Sequence, residues 1–128
     1  MSQLLTDQTA VVTGGASGIG RRIALTFADH GTDVVVADVR EKPREGGKPT
    51  HEQITTETDQ TAVFVECDVT ERADLETAVE ATEELGGLDI MVNNAGIHSE
   101  TPFFEITEEE YDQLIDINIK GVWNGCAA

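Results

Sequence analysis

The chain has 128 residues, 39% of them hydrophobic, which is enough apolar mass for one globular domain and too much for a disordered chain. Eight basic against 25 acidic side chains leave a formal charge of −17, which excludes the basic footprint that nucleic acid and anionic membranes require. No apolar run approaches the length of a bilayer span, and Met1 to Gln8 carries no basic-then-apolar secretory pattern, so the expected address is cytoplasmic and no membrane partner is expected. The acids are spread over polar helix faces and loops, as on salt-adapted proteins, where high ionic strength screens self-repulsion. The thermal midpoint is accordingly expected to rise along a salt series; a flat series would contradict this.

In chain order, the β-rich run Thr9–Thr13 ends in Gly14 and Gly15 and reads as a buried strand. Ile19, Ile23, Ala24, Phe27 and Ala28 then recur at helical spacing up to Gly31. Asp33–Asp38 is an apolar run suited to a strand covered on both faces. Val39–Pro49, with two prolines and two glycines among charges, predicts a loop, and Thr50–Thr58 a weak helix. A third strand is expected over Thr61–Glu66. Next comes a helix capped by Thr70 with the stripe Leu75, Ala78, Val79, Thr82 and Leu85, closed by Gly86 and Gly87. Leu88–Val92 is the fourth strand, running into Asn93, Asn94, Ala95 and Gly96. Thr107 and Glu110 form a capping box for a last helix whose face is marked by Tyr111, Leu114, Ile115, Ile119, Val122 and Trp123. This alternation predicts an α/β fold: a Rossmann-type, doubly wound parallel sheet of about four strands, incomplete, with residues 1–128 as a single dinucleotide-binding domain.

Cys67 and Cys126 lack the spacing of a redox or zinc site, and each is expected to be a small buried hydrophobe. His30, His51 and His98 are scattered, and no metal site is expected.

The chemistry concentrates at strand ends. Thr13–Gly20 places Gly14, Gly15, Gly18 and Gly20 at a strand-to-helix junction, where a diphosphate needs exposed backbone N–H groups and no Cβ in the way. Asp38 closes the second strand, 18 residues beyond Gly20. A carboxylate there can accept from both hydroxyls of an adenosine ribose and repels a 2′-phosphate, which favours NAD over NADP; nearby Arg40 softens that preference. Asn118, four residues after Leu114 on the apolar face of the last helix, must find partners or lose about 1–3 kcal/mol to desolvation.

The glycine turn, Asp38, Asp68–Val69, Asn93–Gly96 and Asn118, in this order, resemble the short-chain dehydrogenase/reductase family, whose turn is written T-G-x-x-x-G-x-G. The resemblance runs from about Gln8 to Gly125. It implies that Gly14, Ser17, Gly18, Ile19 and Gly20 cradle the cofactor diphosphate and that Asp38 holds the adenosine ribose. Asp68 and Val69 would border the adenine, and Asn94, Ala95 and Gly96 would pass along the cofactor's centre. In the family an Asn of this last run ties neighbouring strands, a role expected of Asn93 more than of Asn94. The resemblance makes Asn118 part of the catalytic group, linked through water to a lysine in a proton relay, and implies homo-oligomer contacts through the last helix.

The family's Ser and Tyr-x-x-x-Lys pair are not matched. The single tyrosine, Tyr111, has Ile115 four residues later, Lys120 lies on another helical face, and Ser99 follows the fourth strand instead of the fifth. The expectation is therefore the NAD-binding portion of an oxidoreductase that moves hydride between NAD(H) and a secondary alcohol or ketone, of sugar-dehydrogenase or 3-oxoacyl-reductase type. It is expected to be inactive by itself and to end before the reacting groups. The competing reading is a non-catalytic nucleotide-binding or oligomerisation module; a methyltransferase-like Rossmann protein suits the turn spacing poorly.

Overall fold

Two runs of small β-branched residues form the centre of the molecule. In the computed structural model, which describes residues 3–128, β1 (Thr9–Thr13) is buried along its whole length and β2 (Asp33–Asp38) over its four central residues. Together with β3 (Ala62–Glu66) and β4 (Ile90–Val92) they make one parallel sheet in the order β3-β2-β1-β4. Val11 aligns with Val35 and Met91, and Val35 with Val63.

Because side chains alternate across a strand, this register sorts the core into two layers. Val11, Val35 and Ala37 meet Leu75 and Ala78 of α3 (Arg72–Glu80) on one face. Val12, Val34 and Val36 meet Ala24 and Ala28 of α1 (Gly18–Asp29) and Ile54 of α2 (Thr50–Glu57) on the other. Each fully buried valine contributes about 1.5–3 kcal/mol relative to exposure. From β1 the chain moves outward to β2 and β3, then returns to place β4 on the opposite side. This reversal opens a crevice at the carboxyl ends of β1 and β4, where doubly wound sheets receive ligands.

Several local expectations need correction. The third and fourth strands begin at Ala62 and Ile90, one and two residues late. Thr70 does not cap α3: its hydroxyl donates to Asp68 Oδ1 at 2.7 Å, and Glu71 stands at the N-cap without a side-chain bond. Asp74, inside the first turn, accepts instead from Asp68 N–H at 2.9 Å. The helix stops at Glu80, and a 3-10 turn over Glu83–Leu85 carries the end of the expected stripe to Gly86 at φ +105°.

The last helix is three pieces. α4 (Glu108–Ile115) passes through a π-helical turn, Asp116–Lys120, into α5 (Gly121–Ala127). Thr107 Oγ1 accepts from Glu110 N–H at 3.2 Å, but the reciprocal half of the box is missing. Glu110 Oε1 instead accepts from the hydroxyls of Ser99 at 3.0 Å and Thr101 at 2.9 Å, bracing the loop that precedes the helix.

The expected apolar face is not the packed one. Tyr111, Ile119, Val122 and Trp123 are exposed, while Gly121, Asn124 and Gly125 are buried. A Cβ on Gly121 would stand 2.6 Å from Val69 Cγ2, and one on Gly125 would overlap Asn93 Oδ1. Asn124 is satisfied within the core, donating to Val69 O at 2.9 Å and accepting from Arg72 Nε at 3.1 Å. The Arg72 guanidinium lies 4.4 Å from the centroid of the Trp123 ring, a cation–π contact that covers one face of that exposed indole. Among the described residues no helix is long and apolar enough to cross a membrane.

Candidate functional site

The chain leaves β1 at Thr13 and turns through Gly14 (φ +67°) to Gly18 (φ +56°), where α1 begins. Thr13 fastens this turn to β4. Its hydroxyl accepts from Asn94 N–H and Ala95 N–H, both at 3.0 Å, and donates to Val92 O at 3.3 Å. Asn94 Nδ2 donates to Thr13 O at 3.1 Å and Gly14 O at 3.4 Å. Asn94, and not Asn93, thus makes the tie between strands. Asn93 offers Nδ2 to Cys126 Sγ at 3.5 Å, and its buried Oδ1 has no partner. Neighbouring residues of the same type were interchangeable in the sequence; their opposite directions on an extended chain separate them.

Ser17 stands at the N-cap of α1 without capping it, its Oγ accepting from Arg44 N–H at 2.8 Å. Gly18 N–H, the first amide of the helix, donates to Glu45 Oε2 at 2.9 Å. A Cβ on Gly18 would meet nothing within 4 Å, so the space beside its Cα is open.

Asp38 reaches back from the end of β2. Its Oδ2 accepts from Ala16 N–H at 3.0 Å, and its Oδ1 from Val39 N–H at 2.7 Å and Arg40 N–H at 3.4 Å. Asp68 Oδ1 accepts from Thr70 N–H at 2.9 Å and from its hydroxyl, which fixes the carboxylate at the end of β3. Asn118 sits in the π turn and is exposed, contrary to its expected place on an apolar face. Its amide is nonetheless fully engaged: Oδ1 accepts from Ile97 N–H at 2.8 Å and Nδ2 donates to Ile97 O at 2.7 Å.

These elements enclose a cavity of about 710 Å³ at the carboxyl end of the sheet. It is lined by Gly14, Ser17, Gly18, Ile19, Asp38, Asp68, Val69, Asn94, Ala95 and Gly96, ten of the eleven residues expected to bind cofactor. Gly20 lies beneath, where a Cβ would overlap the Gly14 carbonyl oxygen, so it shapes the turn without facing the cavity. Asn118 stands behind the wall, held to Ile97, while its neighbour Ile117 lines the cavity. The sequence reading missed Arg44, Glu45, Cys67 and Ile97. A signal existed for Arg44: Arg40, Lys42, Arg44 and Lys48 are four of only eight basic side chains, gathered within nine residues.

Cys67 is buried as expected; Cys126 is exposed, because it shares α5's outward side. Burial, with the charges of Asp74, Asp68 and Asp38, pushes the Cys67 thiol up to about 12. It therefore stays protonated at neutral pH. Iodoacetamide at pH 8 is expected to label Cys126 in the folded protein and to reach Cys67 more than about a thousandfold more slowly, since only thiolate reacts. Equal labelling, read by mass spectrometry of peptides, would contradict this placement.

A family model described as short chain dehydrogenase matches residues 8–128. The chain belongs to that family. The L-2,3-butanediol dehydrogenase of Corynebacterium glutamicum is 42% identical over 123 residues, covering 95% of this chain and 47% of its own length. A 3-oxoacyl-(acyl-carrier-protein) reductase of Chlamydia muridarum is 35% identical over 129 residues, covering 100% of this chain and 51% of its own. The solved structure of a putative short-chain alcohol dehydrogenase from Sinorhizobium meliloti 1021 superposes with a TM-score of 0.86 at 35% identity, covering 98% of this chain and 48% of that one. The chain thus spans about half the length of the curated relatives it matches. Members of this family are oxidoreductases that use NAD(P).

Proposed function

We propose that these residues form the NAD-binding portion of an oxidoreductase that transfers hydride between NAD(H) and a secondary alcohol or ketone. One observation carries the reading: the Gly18 amide, at the cavity, already holds a carboxylate oxygen at 2.9 Å, standing where a diphosphate oxygen would, with Asp38 anchored by Ala16 N–H on the same cavity. Gly14, Ser17, Gly18 and Ile19 would then seat the diphosphate, Asp38 the adenosine ribose, and Asp68 and Val69 the adenine edge. Asn94, Ala95 and Gly96 would flank the cofactor's middle portion. The bound nicotinamide would supply the hydride donor or acceptor.

Asn118 holds the backbone of Ile97, and through it the Gly96 segment, against the cavity wall; on this reading it positions the nicotinamide side of the site. The Tyr-x-x-x-Lys pair that would move the proton is not among these 128 residues, so they are proposed to bind nucleotide without turning it over by themselves. The relatives named above act on a diol in one case and an acyl-carrier substrate in the other, which leaves the substrate class at secondary alcohols and their ketones.

Calorimetric titration of the 128-residue chain with NAD, NADP and ADP-ribose tests this. One nucleotide per chain is expected, with NAD tighter than NADP. Failure of all three to bind would overturn the reading. The alternative, a non-catalytic binding or oligomerisation module, is favoured by one feature: the adjacent exposed rings of Phe103 and Phe104 (97% exposed). It predicts equally tight nucleotide binding together with self-association in sedimentation.

A further inference from the structure

The loop between β2 and α2, residues 39–49, is laid across the glycine turn by hydrogen bonds at both its ends and at its middle. At its start Asp38 Oδ2 accepts from Ala16 N–H at 3.0 Å, and at its end the buried Thr50 donates its hydroxyl to Gly15 O at 2.9 Å. Arg21 braces that end from α1, donating to Thr50 Oγ1 at 2.8 Å and to Gln53 Oε1. Between these anchors lie the two bonds to α1 itself, from Arg44 N–H to Ser17 Oγ and from Gly18 N–H to Glu45 Oε2. A tight turn, closed by Gly46 N–H donating to Pro43 O at 3.1 Å, presents Glu45 to the helix. Gly46 (φ +86°) and Gly47 (φ +96°) follow, exposed and with nothing within 4 Å of where a Cβ would stand. The ends and the buried Pro43 are thus fixed in packed structure, while residues 44–47 rest on solvent-exposed bonds and include two unhindered glycines.

We propose that Glu45 is a built-in anion that competes with a nucleotide's diphosphate for Gly18 N–H, so that residues 44–47 are a strap that must lift before the nucleotide seats; this rests on the nucleotide reading above. The electrostatics agree. Glu45 is held below the usual carboxylate range chiefly by the Gly18 N–H, then by its own backbone N–H, with help from Arg21 and the Ser17 hydroxyl. Besides Arg21, Arg22 of α1 borders the same surface, and Arg44 adjoins Glu45 in the loop. A second anion arriving at the N-terminus of α1 therefore meets a site already neutralised and a carboxylate that repels it. The strap discriminates by charge: it opposes ligands carrying phosphate and is indifferent to a bare nucleoside.

Glu45→Gln keeps the side chain's size and removes its charge. In calorimetry with the 128-residue chain, ADP is expected to bind the variant about fivefold more tightly than the wild type, with adenosine altered by less than about twofold. NMR gives a reading independent of nucleotide. In the wild type the Gly18 amide should titrate together with the Glu45 carboxyl, below the ordinary glutamate range, and this transition should vanish in the variant. A Gly18 amide that ignores Glu45 overturns the strap whatever the nucleotide does. Equal ADP affinity in two proteins that both bind removes the strap alone, whereas no binding of ADP by either removes the nucleotide reading and the competition with it.

Discussion

Gly20→Ala is expected to destabilise the protein by about 3 kcal/mol, the upper end for overpacking because the obstacle is backbone, and to abolish nucleotide binding, although it adds a single methyl group to a helix. The added Cβ would overlap the Gly14 carbonyl oxygen and stand 2.5 Å from Asn94 Nδ2. Neither obstacle is the free end of a flexible side chain. Gly14 O belongs to the turn, and Asn94 is committed to Thr13 O and Gly14 O, so relief at one point breaks the clasp between β1 and β4. Gly18→Ala is the matched control. Its Cβ meets open space, but φ is +56°, so the cost is a left-handed backbone strain of about 1–2 kcal/mol with no packed neighbour displaced. Urea unfolding should therefore rank Gly20→Ala below Gly18→Ala. Titration with ADP should show the second variant folded but weakened, because its methyl stands beside the anion-binding amide. A Gly20→Ala protein as stable as the Gly18→Ala protein would contradict the close approach of helix to sheet.

The sheet was legible because burial on both faces forces continuous apolar runs. Val11–Val12 and Val34–Ala37 leave no polar alternation to misread, and α1 shows its buried face through Ala24 and Ala28 at helical spacing. The failures share a physical cause: they lie where small or polar residues pack and apolar ones do not. The buried side of α5 is Gly121, Asn124 and Gly125, which hydrophobic periodicity does not register. The face was extrapolated from Tyr111 and Leu114 through a segment that is π-helical. A π turn holds an extra residue, so Asn118 and the residues after it are rotated relative to an unbroken α-helix. That is why Asn118 is exposed and bonded to Ile97 when it had been expected among apolar neighbours. The cavity-lining glycines and carboxylates could be found because motif spacing encodes them. Glu45 could not, because its contact with Gly18 spans 27 residues through a loop whose path no local pattern dictates.

Asp38→Ala is expected to weaken NAD by at least about tenfold while changing NADP much less, shrinking the preference between them. A hydrogen bond to a charged acceptor contributes about 1.5–3 kcal/mol, and a ribose offers two hydroxyls to this carboxylate. An ionised carboxylate has about four acceptor positions. Ala16, Val39 and Arg40 amides take three of these and fix the group's direction; one position is free for a first hydroxyl, and the second hydroxyl would replace the long 3.4 Å bond from Arg40 N–H. A 2′-phosphate would bring nearly two further negative charges against it. The surroundings push the other way, since Arg40, Lys42, Arg44 and Lys48 all lie in the adjoining loop of an otherwise acidic chain. Arg40 is held to its own loop, its Nε donating to Lys42 O at 3.0 Å, while Arg44 lines the cavity with Asp38. Removing the carboxylate should unmask that basic loop. Asp38→Asn separates charge from geometry: it can still accept from Ala16 N–H, so it should stay folded and tolerate NADP as well as NAD. The ratio of NAD to NADP affinities, measured for the three proteins at one salt concentration, decides the point. A ratio unmoved in both variants would show that the sugar is chosen elsewhere, and Asp38 would then be left with the task of bracing the glycine turn through Ala16.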